Sequence, residues 1–479
     1  MGLFYLADLK RSALLHGCSL GCYSSAYGSF DEGKDPLNSL ANPPTKVSED
    51  GSSIREPMTC RHWLIIAAGV LIAFGPCALV YNVWSIFVVP VSSSLGVASS
   101  QFTFFITLVY LVGGIAAPFA GNLLQKHDLR IVLSASVVMV ALGLFLCSFW
   151  DRIYLFYVSG VLVGFGIVSL MFLAIPTLIN RWFSERAGLF MGICFAMSGV
   201  GGAVWSMVGG LIIDAFSWRV AYQVFSVLVL VIGLFATLVC VRSYPDEVGL
   251  RPFGARLSSG DASSVHNGER PRVCGVSASV MFRSPVFYLL ILSMGIFNSL
   301  TVTVNLYATY IHHLGALALA GITPEGAMMM ASVIASCLMA VSAGSKVLLG
   351  AISDKSMIGA LAIAFVGGVV SICCMWFGSS SPEIIMLGGA LGGVLYAAFD
   401  ALAPSITRQI VGPRDYTIIY SRVAVVVNLA GAAAATVFAA VAEASWEAEW
   451  AMSLLLLAVA FVSCVAAVRL GKNLEQTIG

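Results

Sequence analysis

Twelve stretches of mostly apolar residues constrain this chain more than anything else in it. A helix needs about 20 such residues to cross the hydrocarbon core of a bilayer. The stretches fall at 63–89, 101–124, 131–149, 154–179, 187–213 and 219–241, and after a polar gap at 286–311, 325–349, 358–377, 383–406, 417–441 and 450–468. Hydrophobic residues make up 59% of the chain and charged residues 10%, where soluble domains carry roughly 25% charged. With a mean hydropathy of +0.93, a soluble sphere could not hide this much apolar side chain. The expected fold is an all-α integral membrane protein with twelve transmembrane helices in two pseudo-symmetric six-helix halves.

Charge gives the expected orientation. Cytoplasmic loops carry an excess of Lys and Arg. Lys10, Arg11, Lys34, Lys46, Arg55 and Arg61 precede the first span, and Arg242, Arg251, Arg256, Arg270, Arg272 and Arg283 lie in the middle gap. Lys126, Arg130, Arg181, Arg186, Lys355, Arg408, Arg414, Arg469 and Lys472 fall on the same side, against Arg152 and Arg219 on the other. The expected organisation is therefore a disordered cytoplasmic tail (1–60), a six-helix half (61–241), a cytoplasmic middle loop (242–284), a second half (285–468) and a cytoplasmic tail (469–479). The predicted location is the plasma membrane, or the inner membrane of a bacterium, with the lipid bilayer as the main partner. The chain is expected to act as a monomer.

Several function classes are excluded at this level. A net charge of +1 offers no electrostatic footprint for nucleic acid. Cys147, Cys194, Cys240, Cys337, Cys373, Cys374 and Cys464 lie in apolar runs and read as small hydrophobes. Cys18 and Cys22, with His16, are too sparse for zinc. There is no HExxH, no GxSxG and no Cys/His/acid cluster at catalytic spacing. Neither an enzyme nor a cofactor is expected.

The halves repeat. "GNLLQKHDLR" (Gly121–Arg130) closes the second span and "GAISDKSMIG" (Gly350–Gly359) the eighth, 229 residues apart and close to half the chain. The loop pattern G-x-L-x-D-[RK]-x-G-[RK]-[RK] is a mark of the major facilitator superfamily, and both segments resemble it. The first copy keeps Gly121, Leu123, Lys126 and Arg130, with Gln125 in place of the acid; the second keeps Gly350, Asp354 and Lys355. The resemblance implies that the glycines let two helices approach and that the charges clamp a cytoplasmic gate. A plainer reading is that basic residues hold a short loop inside.

Other segments narrow the resemblance. "RWFSERAGLFMGICFAMSGVGGAV" (Arg181–Val204), "YPDEVGLRPFG" (Tyr244–Gly254), "VGPRDYTIIYSR" (Val411–Arg422) and "VYNVWSIFVVPVSSSLG" in the first span are similar to segments of the oxalate/formate antiporter and monocarboxylate transporter families. The likeness covers about residues 60–470. It implies a secondary active transporter that moves a small organic anion, a monocarboxylate first, by alternating access. Coupling would be proton symport or exchange for a counter-anion. The alternatives are an efflux carrier for an amphipathic compound and a membrane solute sensor that transports nothing.

One lysine carries the site hypothesis. Lys346 lies in "MAVSAGSKVLLGAISDK", one helical turn before Gly350. Members of these families carry a substrate-binding arginine at the matching place, so the resemblance makes Lys346 the anion anchor. Lysine is a point charge without the bidentate fork of arginine. The alternative is that Lys346 snorkels to the cytoplasmic surface. Asp400 is the one acid well inside a predicted span and is the expected coupling residue, sharing charge with Lys346. Its alternatives are capping backbone near Pro404 or pairing with Arg408. The resemblance adds Arg422 as a second cation, although its nearness to a loop also permits snorkelling. Tyr81, Trp84 and Tyr396 are expected to touch substrate, with Tyr307 and Tyr310 as further aromatic candidates. Asn298, Asn305 and Asn428 are expected to bond helix to helix, and Gly199, Gly202 and Ala203 to pack a neighbouring backbone.

Overall fold

A computed structural model describes residues 56–255, 275–316, 324–378 and 381–478. The expected tail over 1–55, Cys18 and Cys22, and the central part of the middle loop lie outside the described residues. Among the described residues, twelve helices are long and apolar enough to cross a membrane. They are α1 (Cys60–Leu95), α2 (Gln101–Lys126), α3 (Leu129–Cys147), α4 (Ile153–Trp182), α5 (Ala187–Ala215), α6 (Trp218–Cys240), α7 (Pro285–Ile311), α8 (Met329–Ser353), α9 (Met357–Phe377), α10 (Pro382–Val411), α11 (Tyr416–Ala444) and α12 (Trp446–Gly471). Most run a few residues beyond the apolar stretches, because polar residues can continue a helix past the hydrocarbon.

The chain divides into two compact units. The smaller comprises Met1–Leu64 and Phe253–Pro271. In it Glu56 N donates to Ala255 O (3.3 Å) and Gly254 N to Glu56 O (3.2 Å). The larger comprises Ile65–Pro252 and Arg272–Gly479, and the rest of the description concerns it.

Helix packing repeats with a six-helix shift. The pairs α2–α4, α3–α4, α3–α6 and α1–α5 recur as α8–α10, α9–α10, α9–α12 and α7–α11. Two further pairs, α5–α8 and α2–α11, join the halves. Lipid offers no hydrophobic drive between helices, so small residues that admit close backbone contact take over. A Cβ on Gly164 would come within 2.7 Å of the Val109 carbonyl oxygen, and one on Gly202 within 2.7 Å of the Asn82 Cβ. Large apolar side chains such as Ile115, Phe119, Met207 and Val462 are exposed on the outer surface, as a bilayer solvent requires.

Regular helix breaks in places that matter. Residues 73–77 of α1 and 169–174 of α4 are π-helical, and α1 then loosens at Asn82 and Val83 before a 3₁₀ turn over Trp84–Phe87. Pro76 lies inside the first irregular segment and Pro176 follows the second. Proline removes an N–H donor and crowds the preceding turn, and π-turns collect at functional sites.

Candidate functional site

The loosened stretch of α1 and the π-turn of α4 face one cavity. It holds about 710 Å³ of space that includes open solvent, and residues from α1, α2, α4, α5, α7, α8 and α10 line it. Tyr81 ends the last regular turn of α1 before the loosened stretch, Asn82 opens that stretch, and Met171 and Phe172 come from the π-turn of α4.

Lys346 and Asp400 meet on its wall. Lys346 Nζ lies 2.7 Å from Asp400 Oδ2, with side chains 4% and 15% exposed. The ammonium also donates, at the long limit of 3.5 Å, to Phe195 O and Ser198 Oγ. The Tyr396 ring centroid is 5.8 Å away, within cation–π range. Asp400 is engaged by Lys346, while Arg408 Nη2 donates to Phe183 O and, at 3.4 Å, to Ser184 O. Removing one partner of a buried pair typically costs about 3–5 kcal/mol, because the other charge is left uncompensated.

Chain direction explains why this lysine does not snorkel to the nearest loop. A helical Cα–Cβ bond tilts toward the helix N-terminus. Helix α8 runs toward the basic loops, so Lys346 leans away from them, into the cavity. Helix α11 runs the opposite way, so Arg422 leans back toward the basic loops. Arg422 is exposed and absent from the cavity wall. Tyr81 and Tyr396 line the cavity; Trp84, at the start of the 3₁₀ turn, does not. Tyr307 and Tyr310 are buried elsewhere: the Tyr307 hydroxyl meets Ser371 Oγ at 2.8 Å, and Tyr310 packs on Trp450.

The expected polar helix contacts resolve in part. Asn298 Nδ2 donates to Val427 O across α7–α11 (2.8 Å) while also lining the cavity; Asn428 donates within its own helix to Ala424 O (2.8 Å), and Asn305 is exposed. Gly202 does pack α1, but nothing lies within 4 Å of a Cβ built on Gly199, which lines the cavity, and Ala203 is exposed. Tyr110, Ser198, Thr301 and Ser342 also reach the cavity. Nothing in their sequence context singles them out, since each is an ordinary small or aromatic residue of a membrane helix.

The joined helices converge at the end that bears the basic loops. Gly188 on α5 meets Gly350 on α8 backbone to backbone, and Gly192 meets the Lys346 carbonyl. Asp354 Oδ1 and Oδ2 accept from Gly188 N (2.8 Å) and Leu189 N (2.9 Å). Those are free N–H groups of the first turn of α5, so an acid from the second half caps a helix of the first. Burial raises the Asp354 carboxyl above its ordinary 3.8, while the Leu189 and Gly188 hydrogen bonds and the charges of Arg408 and Arg186 oppose the rise.

Across α2–α11, Gly121 sits against Ser421 and Gln125 Nε2 reaches Arg414 O at 3.5 Å. Thr177 and Thr417 hydroxyls meet at 3.2 Å. Lys126 and Lys355 are exposed, and Arg130 pairs with Asp128 of its own loop at 3.2 Å.

Toward the other end these helices uncover. Along the α5 face that continues from Gly188 and Gly192, Gly199 and Gly210 have open space, and Ala203 is exposed. Helix α8 is exposed on two sides, at Ser332, Ala335 and Met339 as well as at Val333, Cys337 and Ala340. A helix that shows two faces has lipid on one and an opening on the other.

A sequence profile of the Major Facilitator Superfamily matches residues 69–370, so the chain belongs to that superfamily. Relatives include an uncharacterized MFS-type transporter, YhjX, of Escherichia coli K12, 25% identical over 187 residues (39% of this chain and 46% of the relative). Human monocarboxylate transporter 12 is 28% identical over 181 residues, 37% of this chain and 33% of the relative. An MFS-type transporter of Gibberella moniliformis is 24% identical over 326 residues, 65% of this chain and 66% of the relative. The chain thus spans less than half the length of the bacterial and human relatives that it matches.

Proposed function

We propose that the protein is a secondary active transporter that moves a small organic anion, a monocarboxylate first, by alternating access between its halves. The observation that supports this most is the Lys346–Asp400 pair on the wall of a cavity lined by both halves. An unpaired charge in a membrane interior is costly, and such groups mark substrate and ion pathways. The monocarboxylate transporter named among the relatives supports the cargo class.

Charge balance drives the mechanism. A carboxylate takes Lys346 by displacing Asp400, which leaves one negative charge in excess. A proton carried in with the anion restores neutrality, which is symport. In anion exchange one carboxylate leaves Lys346 as another arrives. Loop charge places the basic end, and both termini, in the cytoplasm. The arrangement described is then closed to the cytoplasm and open to the outside, in a plasma membrane, with the protein acting as a monomer.

Counterflow of labelled carboxylates in liposomes tests the reading. Lys346→Gln should abolish uptake while the protein still inserts and elutes as a folded particle. Uptake at the wild-type rate in that variant overturns the anchor. Asp400→Asn should flatten the pH dependence of uptake, and an unchanged profile removes Asp400 from coupling.

A further inference from the structure

One acid of the second half stands apart from the cavity. Glu449, in the first turn of α12, is completely buried and is not among the residues that line the cavity. Ser453 Oγ donates to Glu449 Oε1 at 3.0 Å, and the Thr303 hydroxyl of α7 meets Ser453 Oγ at 2.8 Å. Glu449 Oε2 is buried with no hydrogen-bond partner among the described residues. A first-turn acid ordinarily faces the free N–H groups of its helix. Here Ser445 takes that place: its hydroxyl accepts from Ala448 N (3.3 Å) and its carbonyl from Glu449 N (3.2 Å). Ser453 lies one turn deeper, so the carboxyl turns into the helix pair and away from the helix end.

Glu449 makes no ion pair among the described residues. Helices α7, α9, α10 and α11 all pack on α12. Toward this end α7 brings Tyr307, Tyr310 and the exposed His313, and α9 brings Cys373 and Cys374. The acids Glu383 of α10, Glu443 of α11 and Glu447 of α12 are exposed, and Asp400 of α10 is taken by Lys346. The arginines of these helices, Arg408, Arg422 and Arg469, belong to the basic-loop end. Beside the acid the rings of Tyr307 and Tyr310 pack on Trp450, with centroids 5.9 and 5.1 Å away. Two hydroxyls supply hydrogen bonding but no charge. A carboxylate sealed in such a place is far costlier than the neutral acid, so the packed arrangement holds the acid.

We propose that Glu449 is a proton-binding site outside the cavity, which keeps α12 seated on α7 while it is neutral and lets the two helices part when it ionises. On ionisation the carboxyl O–H bond breaks, its electron pair stays on the carboxylate, and the proton passes to water at the helix ends opposite the basic loops. Water reaches the group only where α7 and α12 have parted, so raising the pH favours parting. Thr303 stands two residues from Thr301, which lines the cavity, and two residues on a helix point to roughly opposite sides. Helix α7 therefore carries the seat of the acid on one side and cavity wall on the other, and a displaced α7 changes both. The proposal needs no particular cargo and does not depend on Lys346 as the anion anchor.

Infrared spectra and spin-label distances on the purified full-length protein test this. At neutral pH the wild type should show a protonated-carboxyl band that Glu449→Gln lacks, the loss of one acid per chain. Ser453→Ala should shift that band, because it removes the hydrogen bond to Oε1. Labels at His313 and Glu447, both exposed, read the ends of α7 and α12 and remove two neighbouring titratable groups. Their distance should lengthen as the wild type is taken from neutral to alkaline pH, in step with the loss of the band, and stay constant in Glu449→Gln. A wild-type spectrum without the band, or a band that Glu449→Gln keeps whole, overturns the proposal. So does the same change of distance in both proteins. If Glu449→Gln does not fold, an unshifted band in Ser453→Ala overturns it instead.

Discussion

Gln125 and Asp354 hold equivalent positions in the two repeats, yet they join the halves with different chemistry. Asp354 puts both carboxylate oxygens on the free N–H groups that open α5. Gln125 makes one contact, at 3.5 Å, with the carbonyl of Arg414 just before α11. The glycines do not differ in this way: Gly350 meets the Gly188 backbone, and Gly121 meets the Ser421 Cβ and the Thr417 carbonyl. The repeat has kept the geometry on both sides and concentrated the electrostatic closure on α5–α8. That is also the side from which Lys346 enters the cavity, so the clamp and the Lys346–Asp400 pair share one helix pair.

If the two sides are unequal clamps, substitutions should rank accordingly. Distances between spin labels at Ser184 and Lys355, and at Lys126 and Arg414, read each side separately. Gly350→Ala should be the largest effect. Its methyl meets the Gly188 carbonyl, which cannot rotate aside, and overpacking of this kind costs about 1–3 kcal/mol. The α5–α8 labels should move apart and uptake should fall. Asp354→Asn comes next, since it removes one acceptor and turns an N–H toward Leu189 N. A lost cap costs about 1 kcal/mol, and a distance distribution equal to wild type would deny Asp354 its closing role. Gln125→Ala should move the α2–α11 labels less than Asp354→Asn moves the α5–α8 ones, because its contact with Arg414 O is long at 3.5 Å. Equal effects of those two substitutions would dissolve the comparison.

The smallest effects concern pH. In the closed arrangement burial raises the Asp354 carboxyl, against its hydrogen bonds. It therefore binds its proton more tightly closed than open, and its contribution to closure weakens as pH climbs from 3.8 through the raised value. Asp128 moves the other way. Burial pushes it up, but hydrogen bonds from Ser243 and Arg130 and the Arg130 charge hold it below 3.8. Its contribution is lost as pH falls below 3.8. Label distances followed across acid pH should lengthen on the α5–α8 side as pH climbs from 3.8, and an unchanged distance would sink the assignment; Asp128, whose partners Ser243 and Arg130 lie in its own half, should leave the α2–α11 distance alone.

Much of the fold was legible because the bilayer is a demanding solvent. Twelve apolar stretches, one basic side and a repeated loop motif were enough for twelve helices in two halves. The cavity wall was legible at Lys346, Asp400, Tyr81 and Tyr396, because charges and amphipathic rings stand out against an apolar background. Trp84 and Arg422 stood out equally, and the structure puts both off the cavity wall. Helix direction was available in the sequence and would have separated Lys346 from Arg422, since the loop charges fix which way each helix runs. What could not be read was the wall made of Ser198, Asn298 and Thr301, which look like any polar residues in a membrane helix.

By itself, then, the chain determined its solvent, its helices, their number and the repeat. Those follow from composition and period, which are local properties. Which groups share the cavity was decided by tertiary structure: by the loosened stretch of α1 that holds Asn82, by the π-turn of α4 that holds Phe172, and by the glycines that bring α5 onto α8. The partner of Asp400 was settled there too. Lys346 is 54 residues away in sequence and 2.7 Å away in space, and only packing can turn the first separation into the second.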